Sequence, residues 1–189
     1  MNIEDVIELN MPLVRVDVDE LRNLPWQQYN LHKPNNRFVC SITSLDGGVD
    51  GGSELGSLRE HNAQTGSRLT ELSFSTPTSY STPFRYLLDN VVVGRSRFLQ
   101  MKAGGFFPWH RDPDPDTFRL IFTIRGCTKD SLVWVNDDKV LDLHDGTWYI
   151  INTKKKHCVF SLKESTFAIF NVADTPSNWQ FLYNHFAIK

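Results

Sequence analysis

The sequence predicts a mainly β chain with flanking helices, its strands closed antiparallel into a sandwich or barrel. Three observations predict it. Seven segments rich in β-branched and aromatic residues follow one another from residue 91: VVVGRSRFLQM, FRLIFTI, SLVWVN, KVLDL, TWYIIN, HCVFSL and TFAIFNV. Such residues fit a pleated, half-buried surface. The runs are separated by turn material (AGG, DPDPD, RGCTKD, NDD, HDG, KES), and no helical period intervenes. Short strands without crossover helices point to an antiparallel sandwich or barrel.

The elements follow in order. Residues 19–24 (DELRNL) predict a short capped helix halted at Pro25. Residues 46–57, DGGVDGGSELGS, are glycine-rich. Glycine is costly to order, so a loop is expected there, either an active-site lid or a tolerated insertion. A second helix is expected around residues 83–88. After the strands begin, Asn136-Asp137-Asp138 and His144-Asp145-Gly146 read as tight hairpin turns. The expected organisation is one domain over 1–189. Residues 1–90 form a mixed α/β cover, 91–172 the β core and 173–189 a C-terminal tail.

Composition narrows the function. The 189 residues are 40% hydrophobic and 12% aromatic, as in globular chains. The net charge of −2 leaves no basic excess for nucleic acid. Lys154-Lys155-Lys156 reads as a solvated turn. No apolar run is long enough to span a membrane, and the acidic start MNIEDVIELN lacks the pattern of a signal peptide. A soluble cytoplasmic protein with no nucleic-acid or membrane partner is expected. Cys40, Cys127 and Cys158 are widely spaced and odd in number, hence free thiols.

Of the six histidines, His110 and His157 stand where chemistry would use them. His110 and Asp112 follow the glycine turn at Gly104-Gly105, and their spacing puts both side chains on one side of an extended segment. His157 opens a later strand. Each residue type is common in structural roles, and His-x-Asp arises by chance. The combination of glycine turn, His-x-Asp, short strands and a strand-initial histidine favours a metal site. Two neutral imidazoles and one carboxylate on one face of a metal leave positions open for a chelating co-substrate and O2, the donor set of non-haem Fe(II) oxygenases. Asp112-x-Asp114-x-Asp116 opens like a calcium loop, but Thr117 and Thr123 stand where glycine and glutamate are required. As a ligand outside the core, Asp112 is expected to be replaceable without loss of the fold.

The stretch RSRFLQMKAGGFFPWHRDPDPDTFRLIFTI resembles the core of the aspartyl/asparaginyl β-hydroxylase family, which includes bacterial free-proline hydroxylases. GTWYIINTKKKHCVFSL is similar to that family's segment carrying the distal histidine. The resemblance covers about residues 91–172. It implies a double-stranded β-helix, the cupin-like jelly roll, with Fe(II) held by His110, Asp112 and His157. It also implies 2-oxoglutarate as co-substrate, split to succinate and CO2 while O2 hydroxylates an amino acid, peptide side chain or other small polar substrate. The family supplies an arginine on the strand after the distal histidine for the co-substrate's far carboxylate, and here Phe167 stands there. Arg119 is the expected substitute, with hydroxyl support from Ser161 and Thr166. Arg97 and Trp109 are candidates for the substrate, Arg97 also for the co-substrate. Two other readings stay open: a cupin-like metal enzyme without 2-oxoglutarate, and a non-catalytic module that retains the metal. The substrate itself, small molecule or peptide, is not legible.

Overall fold

The computed structural model describes residues 5–30, 35–50, 55–112 and 114–186. The N-terminal strands are β1 (Val6–Leu9), β2 (Gln27–Gln28), β3 (Arg37–Ser41), β4 (Thr43–Ser44) and β5 (Thr76–Pro77). Eight more follow: β6 (Arg97–Met101), β7 (Phe106–His110), β8 (Thr117–Arg125), β9 (Leu132–Asn136), β10 (Lys139–Val140), β11 (Trp148–Ile151), β12 (His157–Ser161) and β13 (Ser165–Ala173). The helices are α1 (Val18–Arg22), α2 (Leu58–Thr65), α3 (Arg85–Asn90) and α4 (Pro176–His185).

One sheet has the order β1-β11-β8-β13-β6-β3-β2 and the other β10-β9-β12-β7, while β4 and β5 pair apart. From β6 to β13 the chain crosses back and forth between the two sheets. β6, β8, β11 and β13 fall in the larger sheet, and β7, β9, β10 and β12 in the smaller. Antiparallel pairing with this alternation is the double-stranded β-helix, a cupin-like jelly roll.

β8 and β13 are buried almost throughout because both faces are covered. Successive side chains alternate across a strand. Ile121, Phe167 and Ile169 therefore enter the cluster between the sheets, with Leu99, Trp134 and Val159. Phe118, Leu120, Phe122, Ala168, Phe170 and Val172 enter a second cluster on the outer face, where α3 and α4 pack. At its centre the Phe84 ring meets Phe170 at 4.9 Å, Phe98 at 5.6 Å and Trp148 at 6.0 Å.

The N-terminal half does more than cover the core. β1 pairs with β11 and β3 with β6, so both edges of the larger sheet are extended and their backbone groups paired. α1 starts at Val18, earlier than expected, because the Asp17 carboxylate accepts the Asp19 N–H at 2.7 Å. The helix expected near Pro83 is a 3-10 segment, Ser79–Phe84, running into α3. The segment expected as a tail holds α4, with Pro176 in its first turn, the Thr175 cap and Trp179 stacked on Phe118 at 4.1 Å.

The Asn136–Asp138 turn joins the β9–β10 hairpin, with Asp137 at φ 50°. His144–Gly146 is a turn but not a hairpin, because β10 and β11 lie in different sheets. The Asp145 carboxylate holds it by accepting the N–H groups of Gly126 and Cys127 at 2.9 and 2.7 Å. Of the glycine-rich segment, residues 51–54 lie outside the described residues. Among the described residues no helix is long and apolar enough to cross a membrane.

Candidate metal centre and anion pocket

His110 ends β7, Asp112 lies in the connection to β8, and His157 begins β12. His110 and His157 are direct partners across the β7–β12 ladder. Asp112 is tethered by its own N–H, which donates to the Thr153 carbonyl at 2.9 Å. One ligand-capable atom from each of the three lies within 4.8 Å of the others. The His110 Nε2 stands 3.8 Å from Asp112 Oδ1, and the His157 Nε2 stands 4.0 Å from Asp112 Oδ2.

The backbone sets the tautomers. His110 Nδ1 lies 2.6 Å from the Pro108 carbonyl and His157 Nδ1 lies 3.0 Å from the Lys155 carbonyl. A carbonyl only accepts, so each Nδ1 carries the hydrogen and each Nε2 lone pair faces the other members of the triad. Burial pushes the His157 pKa down despite the Lys155 carbonyl and Asp112, which favours the neutral ring that a metal requires. Burial opposes ionisation of Asp112, but Arg119 and the two histidines outweigh it and hold the carboxyl below its usual range.

A bulge completes the wall. His157 pairs with His110 but Val159 pairs with Phe107, so two residues of β7, Pro108 and Trp109, stand against Cys158 alone. A bulge re-aims side chains, here letting Phe107 and His110 both face inward. Phe107 stacks on His110 at 6.0 Å and Trp134 on His157 at 6.2 Å. Trp109 is turned outward by the same bulge. It is 48% exposed, does not line the cavity and lies under the Lys156 ammonium, which corrects its expected place at the substrate.

The triad forms part of the wall of a cavity of about 890 Å³. Four buried arginines, Arg37, Arg95, Arg97 and Arg119, also line it. Arg119 faces inward as expected, but its Nε donates to Asp112 Oδ2 at 3.2 Å, while its buried Nη1 has no partner among the described residues. Arg95 makes a two-pronged pair with Glu71 at 2.8 and 2.9 Å and reaches the Leu55 carbonyl at 2.8 Å. It thus ties both ends of the segment carrying α2 to the roll, and Gly56, Ser57 and Arg59 of that segment line the cavity. The Asn171 amide also donates to Glu71. At Gly94 a β-carbon would collide with the Glu71 backbone, so this close approach needs glycine. Arg97, 4% exposed, enters the cavity with neither Nε nor Nη1 hydrogen-bonded to any described residue.

Ser161 and Thr166 do not line the cavity. The Ser161 hydroxyl donates to the Lys163 carbonyl at 2.5 Å and lies 2.9 Å from the Ser165 hydroxyl, so it closes the β12–β13 turn. Thr166 has the opposite strand parity to the inward Phe167. Glu71, Arg95, Arg37 and Tyr29 reach the pocket without having been singled out by the sequence reading. The R-S-R spacing leading into β6 was the one available signal, since in extended chain it puts Arg95 and Arg97 on one side.

No protein-family model matches the chain, and no curated protein matches it. Among solved structures it is similar to a 2OG-Fe(II) oxygenase family oxidoreductase from Burkholderia pseudomallei. That match has 15% identity and a TM-score of 0.47, over 82% of this chain and 76% of that one. It is also similar to the viral collagen prolyl hydroxylase of Paramecium Bursaria Chlorella virus-1 (12% identity, TM-score 0.38, 50% of this chain and 69% of that one). A cupin-2 domain protein from Shewanella frigidimarina matches at 19% identity and TM-score 0.34, over 41% of this chain and 69% of that one. The chain's own strand pairing establishes the jelly roll, and the mouth of that roll carries two histidines and an aspartate in an arrangement that suits a metal ion.

Proposed function

We propose that the protein is a non-haem Fe(II) dioxygenase that uses 2-oxoglutarate and O2 to hydroxylate a small polar substrate, such as an amino acid or a peptide side chain. The observation that carries this is the convergence of two Nε2 lone pairs and one carboxylate on the wall of an arginine-lined cavity. The donor set fits the metal. It is mixed nitrogen and oxygen, comes from one side, and leaves the side towards the cavity open. His110, Asp112 and His157 would hold Fe(II), which with 2-oxoglutarate and O2 supplies the conversion of a C–H bond to C–OH with release of succinate and CO2.

The chain's own groups do the positioning. The Pro108 and Lys155 carbonyls hold the imidazoles in the ligating tautomer. Arg119 grips one oxygen of Asp112 and leaves the other available. Phe107 and Trp134 back the two rings and keep water from that side. A second reading, a cupin-like metal enzyme that uses no oxo acid, is favoured by Phe167, whose buried ring occupies the position where the resembled family has its arginine.

One experiment separates the two readings. Fe(II) and 2-oxoglutarate added without oxygen should produce a visible charge-transfer band that neither gives alone. A chain that binds Fe(II) but shows no change with 2-oxoglutarate would leave the second reading.

A further inference from the structure

We propose that Arg97 on β6 is the anchor for the far carboxylate of an oxo diacid, so that this carboxylate site lies on a different strand from the one Phe167 occupies. The assignment rests on the dioxygenase reading and names the subsite within it. Of the three guanidiniums clustered at this end of the cavity, Arg95 is satisfied by Glu71 and Leu55, and Arg119 holds Asp112. Arg97 has neither its Nε nor its Nη1 satisfied among the described residues, and the Tyr29 ring covers it at 5.2 Å. A buried charge without a partner is costly, and an anion entering the cavity removes that cost. Burial first, then the neighbouring Arg95 and Arg119, push its pKa down to about 10 against the attraction of Tyr29 and Glu71.

The register places Arg97 at the right depth. On β13, Asn171 pairs with Arg119 at the level of the triad, and Ile169, two residues further in, pairs with Arg97. Two residues of strand span roughly 6–7 Å. The far carboxylate of a five-carbon oxo diacid chelated at the triad stands roughly 5 Å from the chelating end, by its bond lengths. The next inward layer is apolar: Phe167 at 1% exposure, with Leu99 and Val39 fully buried.

The test uses the full chain loaded with Zn(II) or Mn(II), so that nothing turns over, and calorimetric binding of two ligands. 2-Oxoglutarate carries the far carboxylate, and 2-oxobutyrate has the same chelating end without it. The wild type should bind 2-oxoglutarate about ten- to a hundredfold more tightly, the span of a charge-assisted hydrogen-bonded pair. Arg97→Leu should erase that preference while metal affinity and 2-oxobutyrate binding stay within about twofold. Its metal-free form should melt no lower than wild type, since an unpaired buried charge has been removed. Arg97→Gln gives the same comparison if the leucine variant folds poorly. Retention of the preference in either variant would overturn the assignment while leaving the dioxygenase reading intact. A wild-type chain that binds metal but neither oxo acid, or both equally, would overturn the reading and the assignment together.

Discussion

Replacing Asp112 by alanine tests whether this carboxylate serves the fold as well as the metal. It lies 3.2 Å from the Arg119 Nε, with side-chain exposures of 28% for the aspartate and 10% for the arginine. Breaking a fully buried pair by removing one partner costs about 3–5 kcal/mol, and a surface pair contributes at most about 1 kcal/mol. This half-buried contact falls between, so Asp112→Ala should destabilise the metal-free chain by about 1–3 kcal/mol. For a chain of this size that lowers the melting temperature by roughly 3–10 °C. The expectation that Asp112 is dispensable for folding thus changes: the chain still folds, but less stably, because the substitution strands Arg119. The assay is thermal melting of chelator-treated protein, with Asp112→Ala/Arg119→Met as the second arm. The double variant should recover most of the loss, since it removes the stranded charge. If Asp112→Ala melts with wild type, or the double variant melts below the single one, the pair does not act as a buried unit.

Three further outcomes follow from the same structure. Burial holds the His157 pKa below the ordinary 6.5, so the unfolded chain takes up its proton first. The stability from His157 is complete above about pH 6.5 and is lost as pH falls towards the lower folded value. Urea midpoints of the metal-free chain and Co(II) affinity should both decline in that window, and midpoints flat across it would contradict the buried neutral ring. Phe84→Ala should cost about 3–5 kcal/mol in urea unfolding, because four aromatic rings surround that side chain. Burial pushes the thiols of Cys40 and Cys127 up to about 12, while Cys158 is only partly buried. Native protein should therefore expose at most one reactive thiol per chain, and all three after denaturation; labelling of two or more under native conditions would contradict that burial.

The roll was legible because its signals are local. Strand composition, turn residues and the lack of a helical period depend on neighbours within a few positions, and β6 to β13 except β7 were read this way. Phe106-Phe107-Pro108-Trp109-His110 escaped because its bulge breaks the alternation that marks a strand. α2 and α4 had local marks that were passed over, Ser57 with Glu60 and Gly66 for one and Thr175-Pro176 for the other. His110, Asp112 and His157 could be singled out because metal ligands need particular residue types and the His-x-Asp pair is close in sequence, and the fold brings the three together.

What the chain alone determined, then, was which residues have the chemistry of a metal site and which segments have the period of a strand. Only the tertiary structure decided what each charge meets. Arg95 finds Glu71, and Arg119 finds Asp112 across a turn. Arg97, two residues from Arg95 and of the same inward parity, hydrogen-bonds to neither acid through its Nε or Nη1. Nothing local separates the three arginines. Their partners are set by strand register and by where the Glu71 segment docks, which are non-local pairings that periodicity and composition do not encode.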